Sequence, residues 1–345
     1  MRCLALAQEW RDRGGEVTFI SHCESAVLRG RIMQEGFDYV SIVNPHPHPS
    51  DLRDTLSLIS ARLNLGHGGN LCARAWLVTD GYHLTSDYQK SIRDAGLHLL
   101  VIDDMNHLSR YHADILLNQN LHAQDVEYKG DEDTALLLGS EYVLLRKEFL
   151  RHKSKILKGN ISGCAKNILV TFGGADPDNL TLKTIQALNA IGDCHIKVKV
   201  VVGPANQNAG DIMKALAVSP RTCELLFDLD DMPKVMAWAD MAINGGGSTC
   251  WELAYMGVPN IVIVLAENQR RISEALHDAG ISINLGWHTN VIKSDIIKNV
   301  CRMIQNPHLR KEMAKAGESA VDGKGSCRVV DSMRQECDDS LSARA

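Results

Sequence analysis

Residues 241–252 read MAINGGGSTCWE, from Met241 to Glu252. An apolar run, Met241–Ile243, meets three successive glycines, and Ser248-Thr249 then opens an amphipathic stretch carrying Glu252. That is the sequence of a buried strand, a tight turn and a helix, the repeating unit of a parallel α/β sheet. Three glycines let backbone approach a ligand closely and adopt positive φ. Ser248 and Thr249 supply hydroxyls suited to a helix cap. A helix N-terminus offers free N–H groups and positive potential, a setting for phosphate. No Lys follows the glycines, so the segment is not a Walker A loop. The plain alternative is a strand-to-helix turn with a Ser/Thr cap.

Working outward, the same design recurs. Asn167–Phe172 reads as a strand, and Gly173-Gly174-Ala-Asp-Pro-Asp-Asn179 leads into a helix over Leu180–Ala190. Here Asp178 or Asn179 is the expected N-cap. After the strand Asn260–Val264 comes Ala266-Glu-Asn-Gln269, three polar side chains at a strand's carboxyl end. Glu at such a place also complements a helix dipole. Further strands are predicted at Ile196–Val202, Glu224–Phe227 and Ile281–Leu285. In the first half they fall at Val17–Ser21, Tyr39–Val43, Trp76–Asp80, Leu99–Asp103, Asp114–Leu117 and Ala135–Leu138. Helices fit Met1–Arg13, Asp51–Leu63, Thr85–Ala95, Met232–Ala239, Thr249–Gly257, Asn268–Ala279, Lys293–Gln305, Pro307–Ala316 and Ser326–Gln335. Apolar strands alternating with amphipathic helices predict parallel sheets covered on both faces. The expected architecture is two doubly wound α/β domains facing a cleft, with ligands at the carboxyl ends of the strands. The basic, Gly/Ser-containing segment 151–166 is the predicted boundary. It separates domain 1–152 from domain 166–320, with 321–345 as a C-terminal helix and tail.

Composition excludes several classes. The 345 residues are 45% hydrophobic and 23% charged, ordinary for a globular chain of roughly two domains. Net charge is −5 and no Lys/Arg run occurs, so an electrostatic nucleic-acid binder is not expected. No stretch reaches the ~20 apolar residues that span a bilayer, and no signal peptide is read. The ten cysteines form no CxxC pair and read as reduced, small hydrophobes of a cytoplasmic protein. The GxGxxG fingerprint is absent, which disfavours NAD chemistry. No cofactor and no metal are predicted. The 14 histidines, among them His22, His46, His48, His83, His107 and His112, show no HExxH or other ligand spacing, so most are expected at the surface. Strand ends carry acids and an aromatic: Asp80-Gly81-Tyr82 and Asp103-Asp104. Paired acids suit a metal or general acid–base work; for Asp104 a cap or an Arg pair is the expected role.

Several stretches together resemble one family. They are MRCLALA (1–7), Ile102-Asp-Asp104, Asn118-Gln-Asn120, LGSEYVLLRKEF (138–149), VTFGGADPDNL (170–180), MPKVMAWAD (232–240), INGGGSTCWE (243–252) and VLAENQ (264–269). The family is the UDP-2,4-diacetamido-2,4,6-trideoxy-β-L-altropyranose hydrolases of pseudaminic acid biosynthesis, PseG, related to the MurG-type glycosyltransferases. The resemblance implies a GT-B fold and metal-independent attack of water at the anomeric carbon, releasing UDP and the free 2,4-diacetamido-2,4,6-trideoxy sugar. It implies that Gly246, Gly247, Ser248 and Thr249 cradle the diphosphate and that Glu252 accepts from the ribose hydroxyls. Asn268 and Gln269 would face diphosphate or sugar, and Gly173 and Gly174 would line the ligand's path. Tyr82 matches the family's Asp-x-Tyr position near the reacting sugar. The partner is a UDP-sugar, and a monomer is expected. Two other readings stay open: a MurG-like transferase with a sugar or lipid acceptor, and an inactive UDP-sugar-binding protein.

The family begins with a strand and a GxGHxxRC loop whose His is the expected base. Met1-Arg2-Cys3 matches only the end of that loop. A first strand is usually central in a doubly wound sheet. The expectation is therefore a reading frame starting upstream of Met1, with sequence for that strand. For a chain starting at Met1, the expectation is UDP binding without useful hydrolysis.

Overall fold

The computed structural model describes residues 1–63, 75–156, 161, 163–192, 195–227, 229 and 231–342. Contacts divide the chain into unit 1, residues 1–146 with 324–345, and unit 2, residues 147–323. The division lies a few residues from the predicted 152/166 and 320/321. It also assigns the C-terminal helix to unit 1.

Unit 1 contains α1 (Arg2–Asp12), β1 (Thr18–Ser21), α2 (Ala26–Gln34), β2 (Asp38–Ser41), α3 (Ser50–Arg62), β3 (Trp76–Asp80), α4 (Ser86–Asp94), β4 (His98–Ile102), β5 (Ile115–Asn118) and β6 (Ala135–Leu138). The helix returning from the C-terminus, α13, is Gly325–Ser342. The strands form two parallel sheets, β1-β2 and β3-β4-β5-β6. Period-two alternation sorts the larger sheet's side chains. Leu100, Ile102, Ile115 and Leu117 pack with Ala5 and Leu6 of α1 and Val329, Val330 and Met333 of α13. Leu99, Val101 and Leu116 face the other way, onto Tyr88 and Ile92 of α4 and Leu52 and Leu56 of α3. Helix α1 serves both sheets, because its Leu4 and Ala7 pack with Phe37, Val17 and Phe19 beside β1-β2. It stops as the sequence predicts. Gly14 takes φ +88° and its N–H donates to the Arg11 carbonyl at 2.9 Å, a left-handed termination that Gly adopts without strain.

Unit 2 contains α5 (Lys147–Ile156), β7 (Asn167–Thr171), α6 (Leu180–Asn189), β8 (Lys197–Val202), α7 (Ala209–Ala217), β9 (Thr222–Phe227), α8 (Met232–Trp238), β10 (Met241–Gly245), α9 (Thr249–Tyr255), β11 (Asn260–Val264), α10 (Arg270–Asp278), β12 (Ser282–Trp287), α11 (Lys293–Gln305) and α12 (Pro307–Ala320). Its sheet is all parallel in the order β12-β11-β10-β7-β8-β9. The chain builds outward from β7 to β9 and then returns to place β10 on β7's other side. That reversal makes β7/β10 a switch point, the place where open α/β sheets bind ligands. β10 and β11 are buried along their whole length, as strands covered on both faces must be.

All twelve strands among the described residues fall where the sequence predicts them, within two residues at each end. Three helices were not predicted. α2 has no buried residue, so it leaves little apolar period to read. α5 is strongly basic and was read as part of the boundary segment, some of which lies outside the described residues. α7 buries only Ile212 among its nine residues. Cys72 and Cys194 also lie outside the described residues. The other eight cysteines are free thiols, as expected, although Cys164 is exposed rather than packed as a hydrophobe. Among the described residues no helix is long and apolar enough to cross a membrane.

Candidate functional site

The three segments singled out in unit 2 end on neighbouring strands. The Gly173-Gly174 turn follows β7, the glycine run 245–247 follows β10, and Ala266–Gln269 follows β11. Register puts Asn244 beside Thr171 and Gly245 beside Ile263. The switch point therefore gathers residues some 100 positions apart in the chain.

At the glycine run each position has its own physics. A Cβ on Gly246 would lie 2.2 Å from Ser273 Oγ and 3.0 Å from Gln269 Cβ, so this glycine is required by packing. Gly247 meets nothing within 4 Å and lacks positive φ. Neither sterics nor backbone strain requires a glycine there, and the space over it is open. The backbone N–H groups of Gly247, Ser248 and Thr249 make no hydrogen bond among the described residues. Ser248 is exposed and its side chain makes no cap hydrogen bond, so the expected Ser/Thr cap is not formed. Its φ and ψ are already helical (−56°, −23°), whereas a capping side chain needs an extended residue to reach back. The turn thus carries three successive backbone donors that have no partner among the described residues, a composition suited to an anion.

Gln269 is committed on one side. Its Oε1 accepts from Gly246 N–H and Leu265 N–H, both at 3.0 Å, clamping the ends of β10 and β11 together. Two backbone donors around one atom fix that atom as the oxygen. The amide NH2 is left as a donor. Asn268 is half-buried, and Glu252 is buried on α9 with 9% exposure. Behind the turn, buried side chains cross three strands. Ser282 Oγ donates to Asn260 Oδ1 (2.7 Å), Asn260 Nδ2 to Asn244 Oδ1 (2.8 Å), and Asn244 Nδ2 to the Gly245 carbonyl (2.8 Å). Cys250 is buried beside them, and burial pushes its thiol up to about 12.

The second turn behaves differently. Gly173 takes φ +79° and both glycines are exposed. The N-terminus of α6 is already occupied. Asp176 accepts from Leu180 and Thr181 N–H at 2.8 and 3.0 Å, and Asn179 caps by accepting from Leu182 N–H. Of the two caps expected from sequence, Asn179 forms. Sequence reading missed Gly203, at the end of β8. A Cβ there would lie 2.5 Å from Gly174 Cα, so Gly203 lets β8 abut the turn. Its signal was the glycine closing an apolar strand.

In unit 1, Tyr82 joins a charged cluster at the carboxyl ends of β3, β4 and β5. Its hydroxyl donates to Asp104 Oδ2 at 2.9 Å. Arg2 contacts the same carboxylate at 2.6 Å and grips both oxygens of Asp80 at 2.7 and 2.9 Å. Asn120 donates to Asp104 Oδ1 at 3.0 Å. Asp104 thus pairs with an arginine, as expected. Burial opposes the charge on Asp80, but hydrogen bonds and attraction from Arg2 outweigh it and hold the carboxyl below its usual range. Burial, reinforced by Asp80, pushes the Cys3 thiol up to about 12.

Residues 167–325 match the model of the glycosyltransferase family 28 C-terminal domain. Among curated relatives, an uncharacterized protein of Methanocaldococcus jannaschii is 28% identical over 276 residues, 78% of this chain and 53% of the relative. The Bacillus subtilis spore coat polysaccharide biosynthesis protein SpsG is 28% identical over 199 residues, 57% of this chain and 58% of SpsG. The chain thus spans little more than half the length of these two. A Campylobacter jejuni UDP-2,4-diacetamido-2,4,6-trideoxy-β-L-altropyranose hydrolase is 24% identical over 213 residues, covering 60% of this chain and 72% of the hydrolase. Acinetobacter baumannii MurG superposes with a TM-score of 0.63 at 16% identity, over 97% of this chain and 95% of MurG. This chain folds as two Rossmann-like units with the GT-B glycosyltransferase fold, and residues 167–325 match the family 28 C-terminal domain.

Proposed function

We propose that this protein hydrolyses a UDP-sugar, UDP-2,4-diacetamido-2,4,6-trideoxy-β-L-altropyranose, to UDP and the free sugar. The observation carrying this is the glycine run: three N–H donors, Gly247 to Thr249, have no hydrogen-bond partner among the described residues, and the space at Gly247 is open. UDP leaves as an anion, and fixed donors at the diphosphate stabilise the charge that develops as the glycosidic bond breaks. In this reading Gly246, Gly247, Ser248 and Thr249 hold the diphosphate, and Gln269 adds its amide NH2. Asn268 lies alongside, Glu252 takes the ribose hydroxyls, and Gly173 and Gly174 leave room for the substrate. Tyr82 assists on the sugar side. The resemblance to the hydrolases, and the 24% identity to one from C. jejuni, supports the sugar and the use of water.

A second reading is glycosyl transfer to a sugar or lipid acceptor, favoured by the family 28 match and the MurG-like fold. Calorimetry with UDP tests the shared site, and UDP release from the UDP-sugar with and without acceptor separates the two. Hydrolysis predicts UDP binding and release in water alone. Release only when an acceptor is added refutes hydrolysis, and failure to bind UDP refutes both.

A further inference from the structure

We propose that Asn244 is a positioning residue for the diphosphate. Its amide, held by a buried chain of side chains that starts on the outermost strand, fixes the Gly245–Gly246 peptide and through it the direction of the N–H groups of Gly247, Ser248 and Thr249. The inference rests on the UDP-sugar reading above and adds a residue to it. Asn244, Asn260 and Ser282 lie on β10, β11 and β12 and are 0%, 1% and 3% exposed. Register pairs Asn260 with Ala242 on one side and Ser282 on the other. Asn244 stands two residues after Ala242 and so shares its face of the sheet. Buried amides in an apolar sheet are costly unless paired, and here each is paired.

The chain runs in one direction. The Gly245 carbonyl can only accept, so the group that Asn244 turns to it at 2.8 Å is Nδ2. Asn244 Oδ1 then accepts from Asn260 Nδ2 at 2.8 Å, and Asn260 Oδ1 accepts from the Ser282 hydroxyl at 2.7 Å. Reversing either amide would set acceptor against acceptor. Cys250 adds a thiol donor to the same Gly245 carbonyl at 3.4 Å.

That carbonyl is one end of a peptide whose other end is also held. Gly246 N–H donates to Gln269 Oε1 at 3.0 Å. A peptide between two glycines otherwise turns over readily, because the flip leaves positive φ at the second glycine, which glycine accepts without strain. Gly246 has no positive φ here. A flip would turn the carbonyl toward Gln269 Oε1 and the N–H toward Asn244 Nδ2, and is opposed at both ends. No side chain at position 246 could stiffen the turn, since Ser273 Oγ and Gln269 occupy the space of its Cβ. Asn244 and Gln269 supply that stiffness from outside. The N–H groups of Gly247, Ser248 and Thr249 follow within three residues, so their direction is set at this peptide. Strand register alone does not call for a chain that ends on the peptide leading into these donors.

The test compares Asn244→Ala, Ser282→Ala and the double variant with the unaltered chain. UDP affinity is measured by calorimetry well below the melting temperature, and amide hydrogen exchange is resolved along 241–264. Asn244→Ala is expected to weaken UDP binding by about tenfold. Exchange should quicken at 245–249 while 241–243 and 260–264 keep their protection. Ser282→Ala acts from two strands away and should weaken binding by about threefold. In the double variant it should add less than about twofold, since the chain it anchors is already cut. UDP affinity within about twofold of the unaltered protein in both folded single variants overturns the proposal and leaves the nucleotide site standing. So do fully additive losses, and so does faster exchange spread along the strands instead of the turn, which marks a role in the sheet alone. Should Asn244→Ala not fold, Ser282→Ala decides by the same affinity and exchange criteria. Absence of UDP binding by the unaltered protein overturns the nucleotide reading and this proposal with it.

Discussion

Replacing Gly246 by Ala puts a methyl group where the chain has no room. The new Cβ would stand 2.2 Å from Ser273 Oγ, 3.0 Å from Gln269 Cβ and 3.3 Å from the Gln269 carbonyl. Ser273 is fully buried, so its hydroxyl has little freedom to swing aside. Overpacking of this kind costs about 1–3 kcal/mol. Pushing Gln269 away also weakens its two 3.0 Å hydrogen bonds, each contributing about 0.5–1.5 kcal/mol. A loss of roughly 2–4 kcal/mol is expected. In a unit of this length that lowers the melting temperature by about 4–16 °C. The partner variant is Ser273→Ala. The Ser273 hydroxyl is buried without a hydrogen-bond partner, so deleting it should be close to neutral. In that background Gly246→Ala should lose its worst contact, giving a coupling of about 1 kcal/mol or more in a double-mutant cycle. Gly247→Ala is the contrast, since its Cβ meets nothing within 4 Å. Its melting temperature should hold while UDP affinity falls by about tenfold, or ~1.4 kcal/mol. Scanning fluorimetry and UDP calorimetry on these four variants and the unaltered protein decide the matter. A Gly246→Ala protein melting within 2 °C (about the scatter expected of a neutral change) would refute the packing argument, and so would additive changes in the cycle.

Other outcomes follow from the same geometry. Gln269→Leu keeps the bulk but leaves Gly246 and Leu265 N–H without an acceptor. The expected loss is about 1–3 kcal/mol for each donor that water cannot reach, read by urea unfolding; an unchanged midpoint counts against the clamp. Asp80 has a depressed pKa when folded, so its pairing with Arg2 stabilises unit 1 above the unfolded value near ~3.9. That stability is lost as pH falls through the lower folded value. Arg2→Met should therefore lower the melting temperature at pH 7, and the difference from the unaltered protein should shrink as pH falls below the unfolded value of about 3.9; a constant difference would exclude the ion pair as its source. Cys250, fully buried with its thiol pushed to about 12, should resist iodoacetamide until unit 2 unfolds, while exposed Cys164 reacts at once. Mass spectrometry of the labelled peptides checks this.

What the sequence disclosed was set by range. The strands were legible because β10 and β11 are buried on both faces, so their apolar runs are unbroken. The glycine run was legible because strand, turn and helix are contiguous there. The difference between Gly246 and Gly247 was not, because it depends on Ser273 and Gln269, more than twenty residues away. Gly203 closes an apolar strand, but what constrains it was hidden for the same reason: it is the backbone of Gly174, in the turn after the neighbouring strand. Ser248 looked like a cap by residue type, but a cap depends on backbone angles that type does not specify. In unit 1 the acids Asp80 and Asp104 were visible, while the arginine joining them stands at position 2, about 80 and 100 residues away.

Helix α13 brings the end of the chain back to the core that α1 and β4 to β6 share. Val329, Val330 and Met333 are buried there, Arg13 pairs with Asp331, and Trp76 donates to Cys337 Sγ at 3.2 Å. Unit 1 is thus discontinuous in sequence, whereas unit 2 is one uninterrupted segment. On the ribosome, unit 2 has all its residues in hand while unit 1 still waits for its last helix. Until then Leu100, Ile102, Ile115 and Leu117 lack part of their cover. Vectorial synthesis thus reverses the order of the sequence: the second unit completes first, and the first unit closes only once α13 has emerged, the interval in which its apolar sheet face depends most on chaperones.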